Sequence, residues 1–403
     1  MSAVESSATH PSLRVLHLNS LLTGGGTDDQ CVKLVQGLER LGVEAHLAGP
    51  EGREYSRVAH DLQLPFHPTP PEGPLKLRFI LQAARLLRRE RFPIVHGHHG
   101  RDLWPTILAA RLSRVRPRVV LTRHLAKSPS SWFSRRFLLG QCDVLLAVSH
   151  FTARVLREGV YEPDSRDPER RARPPLLGDR SRIRVLHGGI DTGRFRPFEA
   201  ASQRQQWGLQ PGDYAFGVVG GYEPPRGKGQ REFLLAAARI HAQIPRARFL
   251  IIGRGGLGDR LRAEIQSLGL EDKAWLTPYC HDMPAAMNAL DCLVHPQVGT
   301  EALGMVLLEA FACGKPAIAS ALDGIPEAFA VANYGTLVPP GDPEALAAAL
   351  RHWAGVPPLP LAQQMRLWEK VDRDFSLTAS AARVKQCYET LLHWRHPLPS
   401  SRL

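Results

Sequence analysis

The feature that most narrows the fold is a rhythm that occurs twice. Short apolar runs alternate with longer stretches of helical apolar spacing, first over residues 13–158 and again over 214–353. In the first half the pattern predicts strands at Leu13–Asn19, Val43–Ala48, Pro93–His98, Arg118–Arg123 and Val144–Ser149. Helices are predicted at Asp28–Leu41, Leu75–Arg89, Leu103–Leu112 and His150–Glu158, with Cys31, Leu34, Val35 and Leu38 on one face of the first. In the second half strands fall at Tyr214–Val219, Phe249–Gly253, Ala274–Pro278, Cys292–His295 and Pro316–Ser320. Their helices are Gln230–Gln243, Asp259–Leu268, Met283–Ala289, Val306–Ala312 and Pro343–Trp353. Alternation of this kind implies parallel, doubly wound sheets. The expectation is an α/β chain of two Rossmann-like βαβ domains, 1–195 and 196–375, followed by a last helix and tail over 376–403. Open α/β sheets bind ligands beyond the carboxyl ends of their strands, so the cleft between the domains is the expected site.

Composition excludes several other classes. Apolar residues make up 43% and charged residues 22% of 403, which is a globular balance with length enough for a core in each half. No apolar run approaches the ~18 residues of a membrane span, and the start lacks a signal-type apolar stretch. A cytoplasmic location is therefore expected. Six scattered cysteines without a CxxC pair read as reduced, buried thiols rather than a disulfide frame or zinc site. The formal charge of +12 points to an anionic partner. Nucleic acid is disfavoured, because aromatic residues are only 7% and are not interleaved with the basic ones. Residues 161–182, rich in Pro, Arg and Asp, read as a solvated loop or linker.

The chemistry concentrates in His295–Ser320. A strand ends, a glycine-containing loop carries Glu301, and a helix begins near Gly304 and contains Glu309. The first amides of a helix lack internal partners and carry partial positive charge, so they suit an anion such as diphosphate. Glu309, deeper in the helix, can accept two hydrogen bonds from a vicinal diol such as ribose, and Glu301 can face another part of the same ligand. Arg226 and Lys228 sit on the Gly/Pro-rich turn Gly217–Gln230, where cations can meet phosphate oxygens. The turn is not a Walker loop, since Tyr222 and Gly229 stand where Gly and Ser/Thr are needed. Gly253–Gly258 matches GxGxxG, with Glu271 and Asp272 following, but it lies on the second βα unit and reads as a tight turn beside the cleft. Gly24, Gly25 and Gly26 follow the first strand and allow close backbone approach to a ligand. His96, His98 and His99 end one strand and His124 the next, so they can touch a substrate; without nearby Cys or HExxH they do not make a zinc site. Asp372-Arg-Asp374 reads as the charged start of the last helix.

Together these pieces resemble the retaining glycosyltransferases of GT-B architecture, family 4 (group 1), over roughly residues 13–392. The most specific element is Glu301-Ala-Leu-Gly-Met-Val-Leu-Leu-Glu309, similar to the family's EX7E pattern. Gly314-Lys-Pro316, Asp323-Gly-Ile-Pro-Glu327, the KG turn Arg226–Gly229, the interdomain segment His187-Gly-Gly-Ile-Asp191 and the Gly24–Gly26 loop add to it. The resemblance implies that Lys228 and Arg226 hold the donor diphosphate and Glu309 the ribose. It implies that Glu301 and the amides of Gly304, Met305 and Val306 hold the donor sugar and phosphate, and that His124 lies beside the reacting sugar. It further implies a metal-independent, retaining transfer with a nucleotide-sugar as co-substrate and no cofactor, and a last helix that crosses back over the first domain. One departure stands out: the family often places Arg after the glycine at the strand end, whereas Tyr222 follows Gly221 here, and Arg226 is the candidate substitute.

The acceptor expectation rests on Leu75–Arg91, a basic amphipathic helix suited to anionic lipid. It suggests an enzyme peripheral to the inner face of the cell membrane that adds sugar to a glycan or lipid-linked acceptor, as in bacterial envelope polysaccharide or lipopolysaccharide synthesis. The alternatives are a sugar phosphorylase of the same fold and a non-catalytic nucleotide- or nucleic-acid-binding protein.

Overall fold

The computed structural model describes residues 13–70, 76–165, 167–278 and 280–393. Its apolar runs are buried on both faces, as strands between two layers of helices must be. The first sheet has seven parallel strands, in spatial order Phe66–Thr69, Glu44–Pro50, Arg14–Leu18, Ile94–Gly97, Arg118–Arg123, Val144–Ala147 and Ile183–Val185. The second has six, in order Ala274–Leu276, Ala247–Ile252, Tyr214–Val219, Cys292–His295, Ala317–Ser320 and Gly335–Val338. Chain order reverses beside Arg14–Leu18 in one sheet and beside Tyr214–Val219 in the other. At such a reversal the connecting helices leave to opposite faces and open a crevice above the strand ends.

Within the two large sheets three strands escape the sequence pattern, Phe66–Thr69, Ile183–Val185 and Gly335–Val338, and all three are sheet edges. Edge strands are short and tolerate Pro68 or a leading Gly335 that a central strand would not. The helices Glu54–Asp61, Trp132–Phe137, Ala201–Gln206 and Ile325–Phe329 are also missed, each too short for a periodic face to stand out. Leu361–Phe375 is missed for another reason: it buries only Leu367, Val371 and Phe375. The Asp372-Arg-Asp374 triplet closes this helix instead of opening the next.

Each sheet is covered on both faces by apolar clusters. The helix Leu377–His393 crosses to the first lobe, where Ala381, Val384, Tyr388 and Leu391 join Val15, Val35 and Leu38. The crossing is fastened at a hinge: Ile190 N donates to Phe375 O at 2.8 Å, and Leu377 N donates to Ile190 O at 3.0 Å. Thr192 Oγ1 donates to Asp372 Oδ1 at 2.6 Å. Among the described residues no helix is long and apolar enough to cross a membrane.

The expectation for residues 161–182 is corrected. Val160–Tyr161 pairs antiparallel with Ala172–Arg173, closing the segment around the helical turn Pro168–Arg171. Arg173 is 1% exposed; it donates to Glu162 Oε1 at 2.8 Å and to Asp323 Oδ2 of the second lobe at 3.0 Å. A mixture of charges that reads as solvated in one dimension neutralises itself in three.

Candidate active site

The two strand-order reversals face each other, and a cavity of about 220 Å³ lies between them. Gly26, Thr27, Gln30, His124 and Gly188 line it from the first lobe, and Lys228, Glu301, Gly304 and Met305 from the second. The glycine loop is shaped by buried polar groups. Asn19 Nδ2 donates to Asp28 Oδ1 at 2.8 Å, and Gly24 N donates to Asp28 Oδ2 at 3.0 Å. Of the three loop glycines only Gly26 lines the cavity; Gly24 lies against Glu54 and Gly25 caps the helix Gly26–Arg40.

On the opposite wall Lys228 Nζ donates to Glu301 Oε2 at 2.8 Å. The contact depends on two glycines. Gly229 has φ +89°, and a Cβ there would lie 1.9 Å from Pro296 O, so only glycine lets the lysine turn close on the Glu301 loop. Gly304, at φ +87°, caps the helix Met305–Ala312, whose start at Gly304 and Met305 lines the cavity and whose first amides have no intrahelical partner. Burial pushes the Glu301 carboxyl up, but the Lys228 ammonium, beside it and hydrogen-bonded to it, outweighs this and holds the group below its ordinary range. His295, 3% exposed and 3.7 Å from Glu301, is taken down by burial to about 4. It is therefore a neutral neighbour. Its position at the end of a strand was visible in sequence, but its contact with Glu301 required the loop to fold back.

His124 joins Thr27 and Gln30 as a polar group of the first lobe at this cavity. It lines the cavity, and its Nε2 is buried without a hydrogen-bond partner among the described residues. Burial, aided by His99 and Arg123, brings its pKa to about 3, so it meets a ligand as neutral imidazole. His98 does not reach the cavity. It is 1% exposed and stands behind His124 at 6.0 Å between ring centroids, with Nε2 shared with His17 Nδ1 at 2.8 Å.

Arg226, Val306 and Glu309 also lie outside the cavity lining. Arg226 points the other way from Lys228, two residues along the turn, and pairs at 3.0 Å with the buried Asp167 of segment 161–182, an insertion before the last strand of the first sheet. Glu309 faces the first lobe near Lys33 and Asp29; burial raises it to about 7, Lys33 opposing and Asp29 adding. A cation not singled out by the sequence lies at the cleft mouth: Arg254, within the GxGxxG turn, reaches Glu54 of the first lobe at 2.7 Å. Tyr222, in place of the family's arginine, is buried, and its hydroxyl donates to Gly253 O at 3.1 Å. Asp323 supports the site from behind, its Oδ2 accepting from Glu301 N at 3.2 Å and from Arg173.

A family model described as glycosyl transferases group 1 matches residues 199–366, and one described as glycosyltransferase family 4 matches residues 24–165. The chain belongs to this family. The 2-deoxystreptamine N-acetyl-D-glucosaminyltransferase of Streptomyces fradiae is 33% identical over 282 residues, covering 68% of this chain and 65% of that protein. The D-inositol 3-phosphate glycosyltransferase of Segniliparus rotundus is 33% identical over 175 residues, 41% of this chain and 38% of that protein. The alignments thus span less than two thirds of these relatives. A glycosyltransferase structure from Rickettsia africae has a TM-score of 0.78 at 18% identity, covering 96% of this chain and 100% of that one. Anabaena HepE in complex with UDP and glucose has a TM-score of 0.75 at 17% identity, covering 94% and 100%. The architecture is GT-B.

Proposed function

We propose that the protein transfers a sugar, with retention of configuration, from a nucleotide-sugar to a glycan or lipid-linked acceptor held by the first lobe. The observation that carries this reading is the meeting of Lys228, Glu301 and the Gly304 helix cap with Gly26, Gln30 and His124 in one interlobe cavity. Cleaving the anomeric C–O bond leaves negative charge on the departing diphosphate and positive charge on the sugar ring. Lys228 and the amides of Met305 and Val306 stabilise the first, so that side chains and a helix start, rather than a metal ion, meet the leaving-group charge. Glu301 takes sugar hydroxyls once Lys228 engages phosphate, His124 lies against the sugar, and Glu309 takes the ribose.

The cavity is smaller than the ~300–1,000 Å³ of ordinary ligand pockets. Donor binding in this reading opens the lobes about the Ile190–Phe375 hinge, and closure then excludes water and aligns the acceptor. Arg226 joins the diphosphate only if it leaves Asp167; Arg254, on the turn beside Gly221, is the second candidate for the missing arginine.

The first lobe carries support for a lipid-linked acceptor. The helix Leu77–Glu90 exposes Arg78, Arg85, Arg88 and Arg89 together with Leu77 and Leu81; Leu75 lies outside the described residues. Trp132 and Phe133, 62% and 53% exposed, stand beside Arg135 and Arg136 on a helix packed at the same face of the sheet. Aromatic rings flanked by arginines fit the headgroup level of an anionic membrane, and an envelope glycan is the acceptor class this implies.

The test is thermal stabilisation by UDP-, GDP- and ADP-sugars, beginning with UDP-glucose because Anabaena HepE binds UDP and glucose. At least one donor raises Tm, and Lys228→Ala and Glu309→Ala abolish the rise. A flat response across the panel overturns the reading. Release of nucleotide rather than sugar 1-phosphate separates a transferase from a phosphorylase.

A further inference from the structure

The lower edge of the second sheet, away from the cleft, holds a second built cavity. Tyr214, Asp291, Pro316 and Tyr334 stand at or just before the starts of four adjacent strands. With Lys315 and Trp353 they line a space of about 280 Å³, closed by the turn Gly355–Pro358 and by Gln364. Most of the wall is satisfied. Trp353 Nε1 donates to Thr336 Oγ1 at 2.9 Å, and its ring meets Tyr334 edge-on at 5.4 Å. Asp291 Oδ2 accepts from Arg204 at 3.0 Å and from Ala215 N at 2.7 Å.

Three polar groups at the wall have no protein partner. Among the described residues the Lys315 ammonium makes no hydrogen bond or ion pair, and neither the Tyr214 nor the Tyr334 hydroxyl makes a hydrogen bond. Burial lowers the lysine from its ordinary value, although Asp291 pulls the other way. A partly desolvated ammonium without a protein partner is a ready acceptor of an anion. One ammonium and two phenols are donors matched to the oxygens of a carboxylate or phosphate. The Tyr334–Trp353 wall and the prolines of the turn suit an apolar, planar body.

We propose that this cavity binds a small organic oxyanion on a planar apolar body, its oxygens meeting Lys315, Tyr214 and Tyr334. The site is distinct from the cleft but joined to it. Lys315 follows the helix Met305–Ala312, whose other end, at Gly304 and Met305, lines the interlobe cavity. An occupant therefore sits at the foot of the helix whose head faces the sugar donor.

The experiment is titration calorimetry on the full chain with benzoate and phenyl phosphate, with benzamide as the neutral control. Both anions, or one of them, bind and benzamide does not; which anion binds more tightly separates a carboxylate from a phosphate ligand. Lys315→Gln weakens binding at least tenfold, and Tyr334→Phe weakens it several-fold. Each variant keeps the wild-type Tm response to nucleotide-sugars, so failure here is distinguishable from failure of the cleft assignment. Absence of anion binding to the wild type overturns the proposal, as does equal binding by wild type and both variants, or equal binding of benzamide.

Discussion

Glu309 provides a titration that reports directly on its place between the lobes. Burial lifts its carboxyl from 4.5 to about 7. A group protonated more readily in the folded state favours folding in acid. That contribution is full below the unfolded value of 4.5 and is lost as pH rises through about 7. At ~1.36 kcal/mol per pKa unit the displacement sets an upper limit of about 3 kcal/mol. The side chain is only partly covered, and solvent screening reduces the expected effect to ~1–2 kcal/mol. Glu309→Gln removes the ionisable group and nearly keeps its shape. We expect the variant to match the wild type within about 1 kcal/mol at pH 5 and to be ~1–2 kcal/mol more stable at pH 8.5. Urea denaturation at the two pH values measures this as a shift of midpoint at unchanged slope. A variant that tracks the wild type at both pH values, or that is less stable in alkali, refutes the placement of Glu309 in a desolvated position facing Lys33 and Asp29. The same variant tests the ribose role separately, because it weakens the donor-induced rise in Tm at either pH.

Other outcomes follow from the same geometry. Arg173→Met leaves buried Asp323 without its cation and should cost ~3–5 kcal/mol in denaturant unfolding; a cost under 1 kcal/mol would mean the insertion is not a structural strap. Gly229→Ala places a Cβ 1.9 Å from Pro296 O at φ +89° and should both destabilise the chain and abolish the donor-induced Tm rise. Replacing Trp132 and Phe133 together by Ser should abolish flotation with anionic liposomes while leaving Tm within a degree or two of wild type; retained flotation excludes that surface as the docking face. Flotation that is unaffected by high salt would instead remove the role of the arginines on Leu77–Glu90.

Much of this was legible in one dimension because the relevant forces are local. Central strands are short apolar runs since both faces are buried, and the helix Met305–Ala312 follows Gly304 because its cap needs a positive φ. The pairing of Lys228 with Glu301 was foreshadowed by two strand-to-helix loops at the same end of one sheet. What stayed hidden depends on partners distant in sequence. Arg226 and Lys228 are separated by one glycine, yet they point to opposite sides, and only the position of Asp167 shows which side each takes. His98 and His124 both end strands, but His17 occupies the space that turns one inward. The insertion could not be read as ordered, because its order comes from Asp323, 150 residues from Arg173.

The cations around the cleft follow a common arrangement. Lys228 holds Glu301, Arg226 holds Asp167 and Arg254 holds Glu54, two of the three pairs joining one lobe to the other. Charge-assisted bonds to phosphate are stronger than those between neutral groups, and a diphosphate offers more oxygens than a carboxylate. In the proposed reading a donor entering the cleft exchanges with these carboxylates, phosphate oxygens replacing one charge-assisted partner by another. For Lys228 the exchange also has a directed consequence. The carboxylate it releases belongs to Glu301, held toward the cavity by Asp323 through the Glu301 amide, and a freed carboxylate is an acceptor for sugar hydroxyls. In the proposed reading one ion pair links recognition of the leaving group to recognition of the sugar, so an intact nucleotide-sugar is expected to bind better than the sum of its two ends.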